Sequence, residues 1–188
     1  MTAAVAGDTG ISVYATELSA ALERHGIDVA RFSLGRRVRP VPEGSRHLAV
    51  PSRVLDRTWK LVGLPRAEHL VGDVDVVHAA GPVPVPSRRP VVMVVHDLAA
   101  LDHPELHGPR AAHELQRTLD ALPRAAAIVA VSDATADALV ARGVDRDRIA
   151  VTPNGLRQLP APDERHVPAG PTVLAVGQLT ARKRLDVL

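Results

Sequence analysis

Four short apolar runs constrain the fold of this 188-residue chain more than any other feature. They occupy residues 74–79, 91–96, 127–131 and 149–152, and the two middle ones are almost wholly apolar. A strand with one wet face alternates polar and apolar side chains, whereas a strand covered by helices on both faces is apolar throughout. The segments between the runs read as helices and turns. Short buried strands alternating with helices predict an α/β fold, a Rossmann-like parallel sheet with helices on both faces.

Ahead of these runs, Ile11, Tyr14, Leu18, Ala21 and Leu22 fall at helical spacing, with Ser12, Thr16, Glu17, Ser19 and Glu23 on the other face. Gly10 precedes this helix. His25 and Gly26 close it with a side chain suited to the last carbonyls and a glycine free to take the left-handed cap. Residues 27–34 then read as a strand. From Arg31 to Arg66 there are nine basic residues against Glu43 and Asp56, and Pro40, Pro42, Pro51 and Pro65 interrupt any long element. That stretch is expected to be irregular or short-helical, with a basic surface that is simply solvated, the alternatives being peripheral contact with an anionic membrane or attraction of a phosphorylated acceptor.

Towards the other end, residues 156–171 contain four prolines among charged residues, a linker composition. Residues 172–176 read as another apolar strand, followed by Gly177 and a helix starting at Leu185. The expected organisation is therefore a first domain over residues 1–155, a linker over 156–171, and over 172–188 the opening of a second domain whose remainder lies beyond the chain.

Composition excludes several classes of function. The formal net charge is +2, and the aromatic residues are Tyr14, Phe32 and Trp59, too few for the stacking platform of a single-strand or RNA binder, so nucleic acid is not an expected partner. With no cysteine there is no disulfide or thiolate chemistry, and a cytoplasmic location is the default. No apolar run approaches the roughly 20 residues of a membrane helix. The N-terminus lacks the basic start and apolar stretch of a secretory signal. No cluster of His and acidic residues has metal-ligand spacing.

In an open parallel sheet, ligands bind beyond the carboxyl ends of the strands. At those places the sequence puts His78, Ala79, Ala80, Gly81 and Pro82, then His96 and Asp97, then Ser132 and Asp133, then Pro153, Asn154 and Gly155, and finally Gly177. The strings TGISVYATELSAAL, DVVHAAGP, VVMVVHDL with HPE, AAAIVAVSDAT, RIAVTPNGL and VLAVGQLTARKRL, in that order, resemble glycosyltransferase family 4, the retaining enzymes with two Rossmann-like domains (GT-B), across essentially the whole chain.

The resemblance implies a fold and a set of roles. The chain would be the GT-B N-terminal, acceptor-side domain with the first strand of the donor-binding domain. Its reaction would be transfer of a sugar from a nucleotide-diphosphate donor to a glycan, lipid or small-molecule acceptor, with retention at the anomeric carbon and no cofactor. His96 would lie beside the reacting sugar and position it, where the alternative is a histidine that caps the strand end or bonds a loop carbonyl. Gly10 would let the backbone approach a phosphate at the start of the first helix, or serve as a simple turn. Asn154 and Gly155, a turn pair, would border the cleft, and Gly177 would open the donor side. Lys183 and Arg182 would meet the donor diphosphate, Lys183 being one of only two lysines in the chain. Many relatives carry an arginine directly after the glycine, where this chain has Gln178. Asp97 reads as a loop or cap residue, and Ser132 with Asp133 as a helix cap.

Because the family keeps its paired glutamates and base contacts in the second domain, the chain as given is expected to be inactive or nearly so. Two alternatives stay open. A GT-B sugar-nucleotide epimerase would convert its substrate with no acceptor present, and a non-catalytic module would bind a sugar or partner through the same cleft.

Overall fold

The computed structural model describes residues 10–34, 44–81, 85–156, 170–177 and 181–187. The four apolar runs become strands β3 (Val77–Ala79), β4 (Val91–Val95), β5 (Ala127–Ala130) and β6 (Ile149–Val151), all parallel and ordered β3-β4-β5-β6. In register, Val77 faces Val91, Met93 faces Ile128, and Ile128 faces Ile149. Met93, Val94 and Val95 are buried in succession, so both faces of β4 are covered, as its apolar run requires. Ala150 on β6 is exposed, which is where the ladder ends.

Helices α6 (Pro109–Ala121) and α7 (Asp133–Val140) connect the strands and bury their apolar stripes on them. Leu115, Leu122, Leu139, Met93, Val95, Ile128 and Ile149 form the larger core cluster. Arg148 finishes this packing as a side-chain cap: its Nη2 donates to the carbonyls of Leu122 (3.0 Å) and Ala125 (2.6 Å) at the end of the turn that follows α6. Arg142, at the end of α7, pairs with Asp102 of the short helix α4 (Ala99–Asp102) and so ties α7 to the segment after β4.

The first part of the chain forms α1 (Gly10–Arg24), β1 (Arg31–Leu34), β2 (Ser45–Leu48), α2 (Ser52–Val62) and α3 (Ala67–Val71). β1 and β2 pair in parallel, Phe32 facing Arg46. Phe32, Ala67, Val77 and Val85 make a second core cluster, with Trp59 and Leu70 packed on it. The strand expected over residues 27–34 is thus confined to its last four residues, and Ile27 is exposed. The stretch from Arg31 to Arg66, expected to be irregular or short-helical, contains the helix α2 and also the unexpected strand β2. Part of its basic character is neutralised internally: Arg31 pairs with Glu23 at 2.6 Å, and the Arg46 guanidinium donates to the Leu70 carbonyl at 3.0 Å. Arg36, Arg37 and Arg39 lie outside the described residues.

Glu68 fastens α3 to the loop that enters β4. Its Oε1 accepts from the Ser87 hydroxyl (2.6 Å) and from the backbone amides of Arg88 (2.7 Å) and Arg89 (3.1 Å). Partial burial works to raise the carboxyl, but these donors outweigh it and hold the group down at about 2. Replacing Glu68 with alanine takes the acceptor from the Ser87 hydroxyl and the Arg88 amide, while the Arg89 amide keeps the Ser87 oxygen at 2.8 Å, and is expected to lower the unfolding free energy by about 1 kcal/mol, read as a reduced urea midpoint. An unchanged midpoint would mean that water replaces the carboxylate at no cost.

Two expectations for the other end of the chain are corrected. Residues 172–176 are not a strand: they find no ladder partner among the described residues, and Val173, Leu174 and Val176 stand more than 80% exposed. An extended segment becomes a strand only when its N–H and C=O groups meet a neighbour. The helix expected from Leu185 is a single 3-10 turn (Leu185–Val187), preceded by another over Ala181–Lys183.

Candidate functional site

The carboxyl ends of β3 and β4 carry a compact group of three rings. His96 is the first residue beyond β4, and His78 is the middle residue of β3, one strand over. Tyr14, on the second turn of α1, reaches both: its hydroxyl lies 3.2 Å from His78 Nε2, and its ring stands edge-on to His96 with centroids 5.0 Å apart at 86°. Helix α1 therefore lies over this end of the sheet, because the Tyr14 side chain is long enough to bridge the two strands.

Two hydrogen bonds hold His96, one through its ring and one through its backbone. Its Nε2 makes a 2.9 Å hydrogen bond to the carbonyl of Ala80, a fully buried residue in the loop after β3. Its own carbonyl accepts from the Thr135 hydroxyl at 3.3 Å. Having given its proton there, Thr135 takes the 3.0 Å hydrogen bond of the Ser132 hydroxyl as an acceptor. The bond to a loop carbonyl is one of the alternatives the sequence left open for His96. It leaves the second ring nitrogen, Nδ1, uncommitted to that carbonyl.

The electrostatics of the group follow from burial. Desolvation, with His96 nearby adding its own repulsion, pushes the His78 imidazole down to about 4, so it is neutral at physiological pH. Burial raises the Tyr14 phenol above its ordinary value, which keeps its proton in place.

The flanking residues carry structure. Ser132 is the N-cap of α7, its hydroxyl accepting from the Thr135 amide at 3.2 Å, and Asp133 sits in the first turn, as the sequence predicts for a cap. Ser132→Ala is expected to cost about 1 kcal/mol, seen as a lower melting temperature, and Ser132→Asp should recover most of it. Asp97 accepts from the Ala99 amide at 3.0 Å, which makes it the turn residue that starts α4.

The remaining sequence-predicted residues fall in three places. Gly10 is the exposed first residue of α1, one turn before Tyr14, and a side chain at that position would meet open space. Asn154 and Gly155 are exposed just past β6. Gly177 and Lys183 do come together: the Lys183 methylenes cross Gly177 so closely that a β-carbon there would sit 3.6 Å from Lys183 Cε. Arg182 and Lys183 are exposed, and their turn lies beside α5 (Pro104–His107), which follows α4 on the same side as His96. Gln178 lies outside the described residues.

Tyr14 and His78 are functional candidates that reasoning from sequence did not select. Tyr14 was counted in the apolar stripe of its helix, and His78 was noted only as a residue near a strand end. The available signal was that His78 and His96 both lie at or near the carboxyl ends of neighbouring apolar runs, His78 inside β3 in register with Val92 and His96 just past β4.

A four-stranded parallel sheet with helices between its strands and polar groups beyond its carboxyl ends is a Rossmann-like α/β fold. Within that class, the Glycosyltransferase Family 4 profile matches residues 9–157, and the chain belongs to that family. No curated protein matches it.

Proposed function

We propose that the protein is a retaining glycosyltransferase that moves a sugar from a nucleotide diphosphate to an acceptor hydroxyl, and that the cleft beyond β3 and β4 holds the reacting groups. The observation that carries this reading is the fixed His96 at the carboxyl end of β4, inside the segment that matches the family. An imidazole with one nitrogen bonded to the protein keeps the other for a sugar hydroxyl. Lys183, steered over Gly177, and Arg182 supply positive charge for a departing diphosphate, which gathers negative charge as the glycosidic bond breaks. Gly10, Asn154 and Gly155 offer backbone at the rim of the same cleft.

The test is incubation of this chain joined to a donor-binding second domain, because the 188 residues alone are expected to be inactive or nearly so, with a panel of nucleotide-diphosphate sugars, with and without glycan, lipid and small-molecule acceptors. Acceptor-dependent release of nucleoside diphosphate, and a product whose anomeric configuration matches the donor, are the expected results. An inverted product would overturn retention. Epimerised sugar nucleotide formed without acceptor would replace transfer by epimerisation. Absence of nucleoside diphosphate release across the panel would sink transfer.

A further inference from the structure

We propose that Tyr14 and His78 are positioning residues for His96, holding its ring with Nε2 committed to the Ala80 carbonyl so that Nδ1 is the acceptor offered to a ligand hydroxyl. A carbonyl oxygen only accepts, so the 2.9 Å contact requires the proton on Nε2, and the neutral ring then has its lone pair on Nδ1. One hydrogen bond leaves the imidazole free to swing about it. The edge of the Tyr14 ring, 5.0 Å from the His96 centroid at 86°, closes off that motion.

Tyr14 is itself anchored at its far end. Its hydroxyl meets His78 Nε2 at 3.2 Å, and the two rings stack with centroids 6.1 Å apart and 27° between planes. The titratable groups known to face His96 are thus Tyr14 from α1 and His78 from β3. Both are uncharged at neutral pH, the phenol because burial raises it and the imidazole because burial lowers it. An Nδ1 lone pair in an uncharged wall takes a donor hydroxyl and gives nothing to an anionic oxygen. This end of the cleft therefore selects the hydroxyls of a sugar and leaves phosphate to the cationic turn over Ala181–Lys183. The use made of His96 rests on the transferase reading, whereas its ring geometry does not.

The decisive measurement is the ¹⁵N and ¹H imidazole spectrum of the protein at neutral pH. In the wild type, His96 is expected as the Nε2–H tautomer with a slowly exchanging Nε2 proton. Tyr14→Ala should speed that exchange about fivefold, on the scale set by an edge-on aromatic pair, while Tyr14→Phe, which keeps the ring, should stay near wild type. In turnover, Tyr14→Ala should lower kcat by a similar factor with KM unchanged. Wild-type His96 exchange in Tyr14→Ala, or the Nδ1–H tautomer in the wild type, would overturn the proposal. If Tyr14→Ala does not fold, Tyr14→Leu and His78→Ala decide: faster exchange in either supports it, and wild-type exchange in both overturns it. A protein with the expected His96 spectrum and no transfer activity would remove the transferase reading and leave the positioning role intact.

Discussion

Lowering the pH from 6.5 to about 4 is expected to remove roughly 3 kcal/mol of stability from the wild type that a His78→Gln variant does not lose. His78 titrates near 6.5 in the unfolded chain and near 4 in the folded one, where burial beside Tyr14 and His96 disfavours the charged ring. Between those values the unfolded state binds a proton that the folded state does not. The sign follows: the contribution is complete above 6.5, declines by about 1.4 kcal/mol per pH unit as the pH falls, and levels off near 4. Glu68, held at about 2, titrates mostly below this interval, so the upper half of the window belongs to the histidine. Urea midpoints of both proteins at several pH values check this, and parallel curves for wild type and variant would show that His78 is solvated in the folded state.

His96→Ala is expected to reduce kcat roughly 100-fold, the scale of losing one positioned hydrogen-bonding group in a reacting site. The same change strips the buried Ala80 carbonyl of its donor, so folding must be checked in parallel by thermal melting. Asp97→Ala is the control. Its carboxylate serves only the Ala99 amide among the described contacts, so turnover within about threefold of wild type is expected, with a small loss of stability. Equal losses in the two variants would mean that the loop after β4 matters as a shape and that the imidazole has no special task.

The four apolar runs were legible because burial on two faces leaves a direct mark on composition, and the structure sets β3 to β6 within those runs, up to three residues shorter at an end. β2 left no such mark. Its sequence, SRHL, has little strand character, and it forms because the ladder to β1 and the Ser33 hydroxyl bonding His47 at 3.0 Å supply what propensity does not. Residues 172–176 fail in the opposite sense, having strand composition and no ladder partner among the described residues. The site divides in the same way. His96 could be read from its place after a buried strand, and so could the capping by Ser132. The bond between Tyr14 and His78 joins residues 64 positions apart, and nothing local in either segment announces it.

Strand order in the four-stranded sheet is also the order of synthesis. Each of β4, β5 and β6 docks beside the strand made just before it, so none has to wait, edge bare, for a partner still on the ribosome. β3, which carries His78, and β4, which leads into His96, are the first of the four to meet. The floor of the cleft can thus be laid while α7 and β6 are still being translated, with Tyr14 already available to close over it.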